Sequence, residues 1–205
     1  ERTGPARRGE GEDISTERIK QTFGFKGVNF GNWMKGESPS MRKERQLHVN
    51  FLYDSFLDLA EILNIPPQAM SLNGLLGIAV GAQGSGKALA HFVPGVNEIN
   101  VTRTAGAGAL AHEWGHALDH NYARLAGLDR EKDPFLTEHL HRRPRPTLDS
   151  NGEKTGTVPA YAESLRPEIL EKFKSVVSAM NKRMETQEEA EVREKSYASV
   201  AKSRA

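Results

Sequence analysis

The chain has no cysteine among its 205 residues. That excludes disulfides and thiolate ligands, so any zinc must be held by histidine and carboxylate. It does not choose a compartment. An excess of one charge is missing too: 28 Lys and Arg stand against 27 Asp and Glu, a net charge of +1. No strong field argues for nucleic acid as a partner. The sequence shows no signal peptide and no apolar run of transmembrane length, which leaves no membrane partner to expect. Apolar residues are sparse at 37 %, charged ones make up 27 %, and mean hydropathy is −0.59. About a quarter of the chain is therefore expected to pack poorly. The length suits one domain with an appended arm, and the charged ends at Glu1 and Ala205 suggest a piece of something longer.

What is present is concentrated between Gly108 and His120. His112, Glu113 and His116 spell H-E-x-x-H. On a helix, residues four apart share a face, so two imidazoles can grip one divalent ion and leave positions open for water and substrate. Glu113 lies about 100° round from His112. From there it can act as general base toward water activated by the ion. In a sequence of this composition the motif arises by chance about 2 % of the time, so its helical setting matters. Leu110, Trp114, Leu118 and Leu125 fall opposite the histidines, which predicts a packed face and a working face. Gly115 costs about 1 kcal/mol inside a helix, which predicts a neighbour pressed against its backbone. Thr104 suits an N-cap, and Gly127 followed by Leu128 reads as a Schellman stop.

Taken in order, residues 1–20 are charged, Gly-rich and without periodicity, and read as a flexible leader. Phe23–Trp33 alternates aromatics with glycine; Phe23, Phe25, Phe30 and Trp33 are expected to pin a loop to the core, with a cleft wall as the functional alternative. Met41 to Leu63 predicts a long helix with Leu47, Phe51, Leu52, Ser55, Leu59, Ile62 and Leu63 on its apolar stripe, stopped by Pro66 and Pro67. His48 reads as a packed histidine. Residues 72–102 predict three strands, Leu75–Val80, Ala88–Val93 and Glu98–Thr102. Gly81–Lys87 matches the phosphate-loop pattern. Ala88 stands where Ser or Thr is needed and a strand follows instead of a helix, so a flexible hairpin loop is the better reading. Beyond Gly127, His139, His141 and Arg142–Pro146 read as a solvated Pro-rich loop. A helix is expected from Arg166 to Met184, with Ile169, Phe173, Val176, Val177, Met180 and Met184 on its apolar side, and a charged projecting or disordered end follows.

Three stretches together, Phe23–Trp33, Ile65–Gly74 and Gly106–Asp119, resemble the large polyvalent protein-associated domain with a zincin-type motif, found in polyproteins of phages and conjugative elements. They span about half the chain. The resemblance implies a metallopeptidase-like domain in the bacterial host cytoplasm, with a protein or peptide substrate. The His112–Asp119 run is also similar to the site helix of anthrax lethal factor-like gluzincins, which implies a glutamate from a later helix as third ligand. In zincin folds the strand before the site helix, here Glu98–Thr102, is an edge strand lining the cleft and able to pair with an extended substrate.

The third ligand is less legible. His120 lies about 9 Å along the helix axis from the midpoint of the pair and cannot share its metal. Asp119 is better placed to orient a ligand histidine. Metzincins would carry histidine where Tyr122 stands. Glu163 is the best candidate within the chain, with Tyr161 beside it as an oxyanion donor, or the ligand lies beyond Ala205. Two ligands alone hold zinc poorly, so this piece can be metal-free. The expected fold is α+β and zincin-like: a small antiparallel or mixed sheet packed on a long N-terminal helix and the central site helix, with a helical C-terminal arm. The expected domains are a leader (1–20), a core (21–128), a polar loop region (129–164) and the arm (165–205). His112 and His116 are the expected Zn²⁺ ligands and Glu113 the catalytic residue. The rival expectation is a non-catalytic module on the same scaffold, touching a host protein or nucleic acid; Glu113 between the histidines favours the enzyme.

Overall fold

A computed structural model describes residues 4–31, 34–81, 90–102, 107–128, 134–141, 146–157 and 165–178. Within them the protein is α+β, with five helices and a small mixed sheet. The longest element is α2, Pro39–Ile62. Its start follows from Ser38, whose hydroxyl accepts the Met41 N–H at 3.3 Å, and from Pro39 in the first turn, where no N–H is needed. It ends before the prolines arrive. Asn64 takes a left-handed φ of 53°, and Asn64 N–H and Ile65 N–H bond the carbonyls of Glu61 and Ala60, both at 3.0 Å. That is a Schellman ending with asparagine in glycine's usual place.

The buried side of α2 differs from the expected stripe. Val49, Leu52, Tyr53, Phe56 and Ala60 face the core, while Leu47 (48 % exposed), Phe51, Ile62 (79 %) and Leu63 face out. The cause is polar: Asn50 and Asp54 are buried as well, because the N-terminal segment lies over them. Asp54 accepts Arg7 N–H at 3.0 Å and pairs with the Arg8 guanidinium at 2.5 Å. Asn50 accepts Ile14 N–H and donates to Asp13, both at 2.9 Å. The stretch read as a flexible leader is thus docked. Ser15 caps α1 (Thr16–Phe23), and Gly24 closes it at φ 76°. Ile19 and Phe23 are buried. Phe23, Phe25, Tyr53 and Phe56 form one aromatic cluster with ring centroids 4.8–5.6 Å apart, a geometry that adds to simple area burial. Phe23 and Phe25 thus pin their segment as expected. Phe30 ends a strand, and Trp33 lies outside the described residues. His48 is half-buried, its Nε2 lying 3.9 Å from Glu44.

The sheet comprises β1 (Val28–Phe30), β2 (Gly77–Val80), β3 (Ala90–Val93) and β4 (Glu98–Val101) in the order β1-β2-β4-β3. β1, β2 and β4 run parallel; β3 is antiparallel to β4, with Phe92 opposite Ile99. Two expectations change here. β4, which leads to the site helix, is interior, and β3 beside it is an edge among the described residues. β2 and β3 are not neighbours, so the segment between them is not a hairpin loop; most of Gly81–Lys87 lies outside the described residues. A strand does follow it. The actual hairpin is β3–β4, turned through Pro94–Asn97 with Asn97 at φ 54°.

Helix α3, Ala107–Leu125, follows β4. The chain divides into two compact units, Glu1–Asn121 and Tyr122–Ala205, so the last turn of α3 belongs to the second. There Ala123, Ala126, Leu136 and Leu165 form a buried cluster flanked by Tyr122, Leu128, Leu140 and Phe173. The region read as a solvated loop holds α4 (Leu136–His141) and a hairpin, β5 (Pro146–Leu148) with β6 (Lys154–Thr157). Asp149 organises its turn, its carboxylate accepting the N–H of Asn151 and of Glu153 at 2.9 Å each. A fifth helix, α5, covers residues 167–178, buries Leu170 and Val177 and leaves Val176 half exposed; Met180 and Met184 lie outside the described residues. No helix among the described residues is long and apolar enough to cross a membrane.

Candidate functional site

The C-terminus of α3 stops as its sequence predicts. Gly127 adopts φ 72°, Leu128 N–H reaches Ala123 O and Gly127 N–H reaches Arg124 O, both at 3.1 Å. Thr104, the expected N-cap, lies outside the described residues. Between these ends the helix presents His112 exposed and His116 half-buried. Their rings stand edge to face at 87° with centroids 4.6 Å apart. The two Nε2 atoms meet at 3.0 Å, so one imidazole must carry the proton and donate to the other. Two nitrogens holding one zinc at about 2.0–2.1 Å in a tetrahedral site stand about 3.3 Å apart. The pair's spacing is therefore about 0.3 Å short of ligand spacing. The two histidines fit a divalent cation.

Glu113 lies on the neighbouring face of the helix and is only 9 % exposed. Its Oε2 accepts the Phe92 N–H at 2.7 Å, which ties α3 to the edge strand β3. It has no other partner among the described residues. Beside it Ala117 and His120 (3 % exposed) complete a buried face, with the His120 ring 5.5 Å from that of Phe92. His120 thus packs against β3. Trp114 is buried and its indole N–H donates to Met70 O at 2.9 Å, fastening α3 to the 3-10 helix Pro67–Ser71. Asp119 is buried one turn beyond His116.

Two expectations for this helix need correction. Leu125 is 47 % exposed and Leu118 only partly buried, because the packed face centres on Leu110, Glu113, Trp114 and Ala117 instead. Gly115 has no neighbour against it: a Cβ built there meets nothing within 4 Å. Glu113, the expected catalytic residue, spends one oxygen on the sheet. The Phe92 amide was not foreseeable as a site group. A backbone N–H carries no residue-type signal, and only the fold shows that β3 reaches Glu113.

Glu163 and Tyr161 lie outside the described residues. Among the described residues no group of three or more His, Asp or Glu side chains is placed to hold a metal together. The site as described is two converging imidazoles plus one anchored carboxylate on the neighbouring face. That set can hold a cation by two ligands and supply a base, and it needs a third ligand to hold zinc firmly. No family model matches the chain, and neither a curated protein nor a solved structure matches it.

Proposed function

We propose that this chain is a zincin-like metallopeptidase domain of the phage or mobile-element polyvalent type, acting on a protein or peptide substrate in the cytoplasm of a bacterial host. The observation that carries the reading is the 3.0 Å approach of His112 Nε2 to His116 Nε2 on one face of α3, with a carboxylate at the residue between them that no cation neutralises among the described residues. His112 and His116 would hold Zn²⁺, and the third ligand would be Glu163 or a group outside this chain. The ion would supply acidification of water and polarisation of a carbonyl. Glu113 would take the proton from the attacking water at its carboxylate and return it to the leaving amine. Trp114 and Ala117, packed beneath, keep the helix face that carries the histidines fixed.

A second reading, a non-catalytic scaffold that binds a host protein or nucleic acid, draws on one observation: the Glu113 carboxylate is committed to β3 as any structural side chain would be. Metal separates the two. The full chain, purified without chelator, should carry about one zinc per molecule, and a His112→Ala/His116→Ala double variant should carry none. Zinc at about 100 times its Kd should stabilise the wild type by about 2.7 kcal/mol. Failure to take up zinc when it is supplied would mean that Glu163 is not the third ligand and that this chain either lacks that ligand or is the scaffold.

A further inference from the structure

Among the described residues, the Glu113–Phe92 bond holds a buried carboxylate on a single neutral donor. Asp54, also buried, has a backbone N–H and an arginine instead. A lone N–H···O⁻ bond is strong for a hydrogen bond, yet it leaves most of the charge uncompensated in a region of low dielectric. The His112–His116 pair, which the proposed function assigns to a cation, adjoins Glu113 in sequence.

We propose that Glu113 is a cation-released latch: in the metal-free chain it fastens α3 to strand β3 through the Phe92 amide, and a divalent cation on His112 and His116 draws the carboxylate off that amide. The inference rests on the metal reading of the pair and adds regulation to it. The general base is held against the sheet until the ion arrives, so the metal-free protein is closed as well as unloaded. The driving force is electrostatic. A doubly charged ion on the histidines attracts the carboxylate's full negative charge, and the chain gives up one hydrogen bond in exchange. No backbone movement is required, because a glutamate side chain can change rotamer within its own turn.

The test is amide hydrogen exchange at Phe92, followed by NMR on the full chain, with zinc binding measured by calorimetry on the same samples. Without metal the amide should be protected. Saturating zinc should lower that protection by about tenfold to a hundredfold, the worth of one hydrogen bond to a charged acceptor. In Glu113→Gln the side-chain oxygen can still accept from Phe92 but has no charge to draw away, so zinc should leave the protection unchanged. In His112→Ala/His116→Ala zinc should have no effect either. If zinc binds the wild type and Phe92 stays as protected as before, the latch is wrong and the metal site stands. An equal loss of protection in Glu113→Gln would also overturn it, since charge would then not be the cause. If zinc does not bind at all, the latch falls together with the metal reading.

Discussion

Helices α2 and α3 each bury an acid beneath a neighbouring segment, and they satisfy it in different ways. On α2, Asp54 receives both the Arg7 N–H and the Arg8 guanidinium, so its charge is cancelled where it sits. On α3, Glu113 receives only the Phe92 N–H, and no cation accompanies it among the described residues. A buried, paired charge is a structural fastening: removing one partner strands the other. A buried carboxylate without a cation is a cost the fold retains, and such costs gather where chemistry is done. The contrast separates a clamp from a site.

The largest effect should come from breaking the clamp. Asp54→Ala leaves Arg8 and the Arg7 amide without their acceptor and should cost about 3 kcal/mol, near the low end for a broken buried pair because Arg8 retains some access to water. Urea unfolding measures the loss, and amide exchange over residues 7–14 should show the segment lifting off α2. A loss below about 1 kcal/mol, with the segment still protected, would mean that Ile14 and Ile19 hold it by apolar burial alone, and the comparison would lose its first half.

That clamp is also where the sequence was hardest to read. Helical periodicity assumes that polar residues face water, so Asn50 and Asp54 pushed the expected stripe of α2 toward Leu47, Phe51 and Ile62, which the structure leaves exposed. A charged, glycine-bearing segment such as residues 4–15 carries no apolar pattern and reads as disorder, although its order comes from backbone N–H groups landing on two buried acceptors. Local chemistry was legible where it is local. The Schellman turn at Gly127, the boundaries of α2 and the three strands between residues 75 and 102 each follow from a few adjacent residues. The H-E-x-x-H spacing likewise put the two imidazoles together, since i and i+4 on a helix leave them nowhere else to point. Strand order is not local. Nothing in Glu98–Thr102 says that β3 will pass outside it, so the partner of Glu113 on the edge strand had no signal.

Neutralising the site acid should do far less to stability than breaking the clamp. Glu113→Gln keeps an oxygen for the Phe92 N–H and removes an uncompensated buried charge, so the change should lie within about 1 kcal/mol in either direction. Hydrolysis of a peptide substrate, by contrast, should fall by about 10²–10⁴ with zinc still bound. Unchanged turnover would remove Glu113 from the chemistry. A stability loss above about 2 kcal/mol would show that Glu113 is a clamp like Asp54 after all.

The smallest effect tests the exposed side of α3. Helix α2 contains no glycine, whereas α3 carries Gly108 and Gly115, and a Cβ at either meets nothing within 4 Å. Gly115 lies three residues after His112 and so borders it on the helix surface. Within this chain its lack of a side chain brings no packing benefit, only the entropic cost of glycine in a helix interior. Gly115→Ala should therefore stabilise the protein by about 0.8–1 kcal/mol, seen as a rise of roughly 2–4 °C in thermal midpoint, with zinc affinity unchanged. Stabilisation without loss of zinc would make the bare flank incidental to the metal. Weaker zinc binding in a more stable protein would mean the opposite: the empty flank is room that the histidines or their ligand use, and α3 gives up helix stability beside its cation site that α2 has no reason to give up beside its clamp.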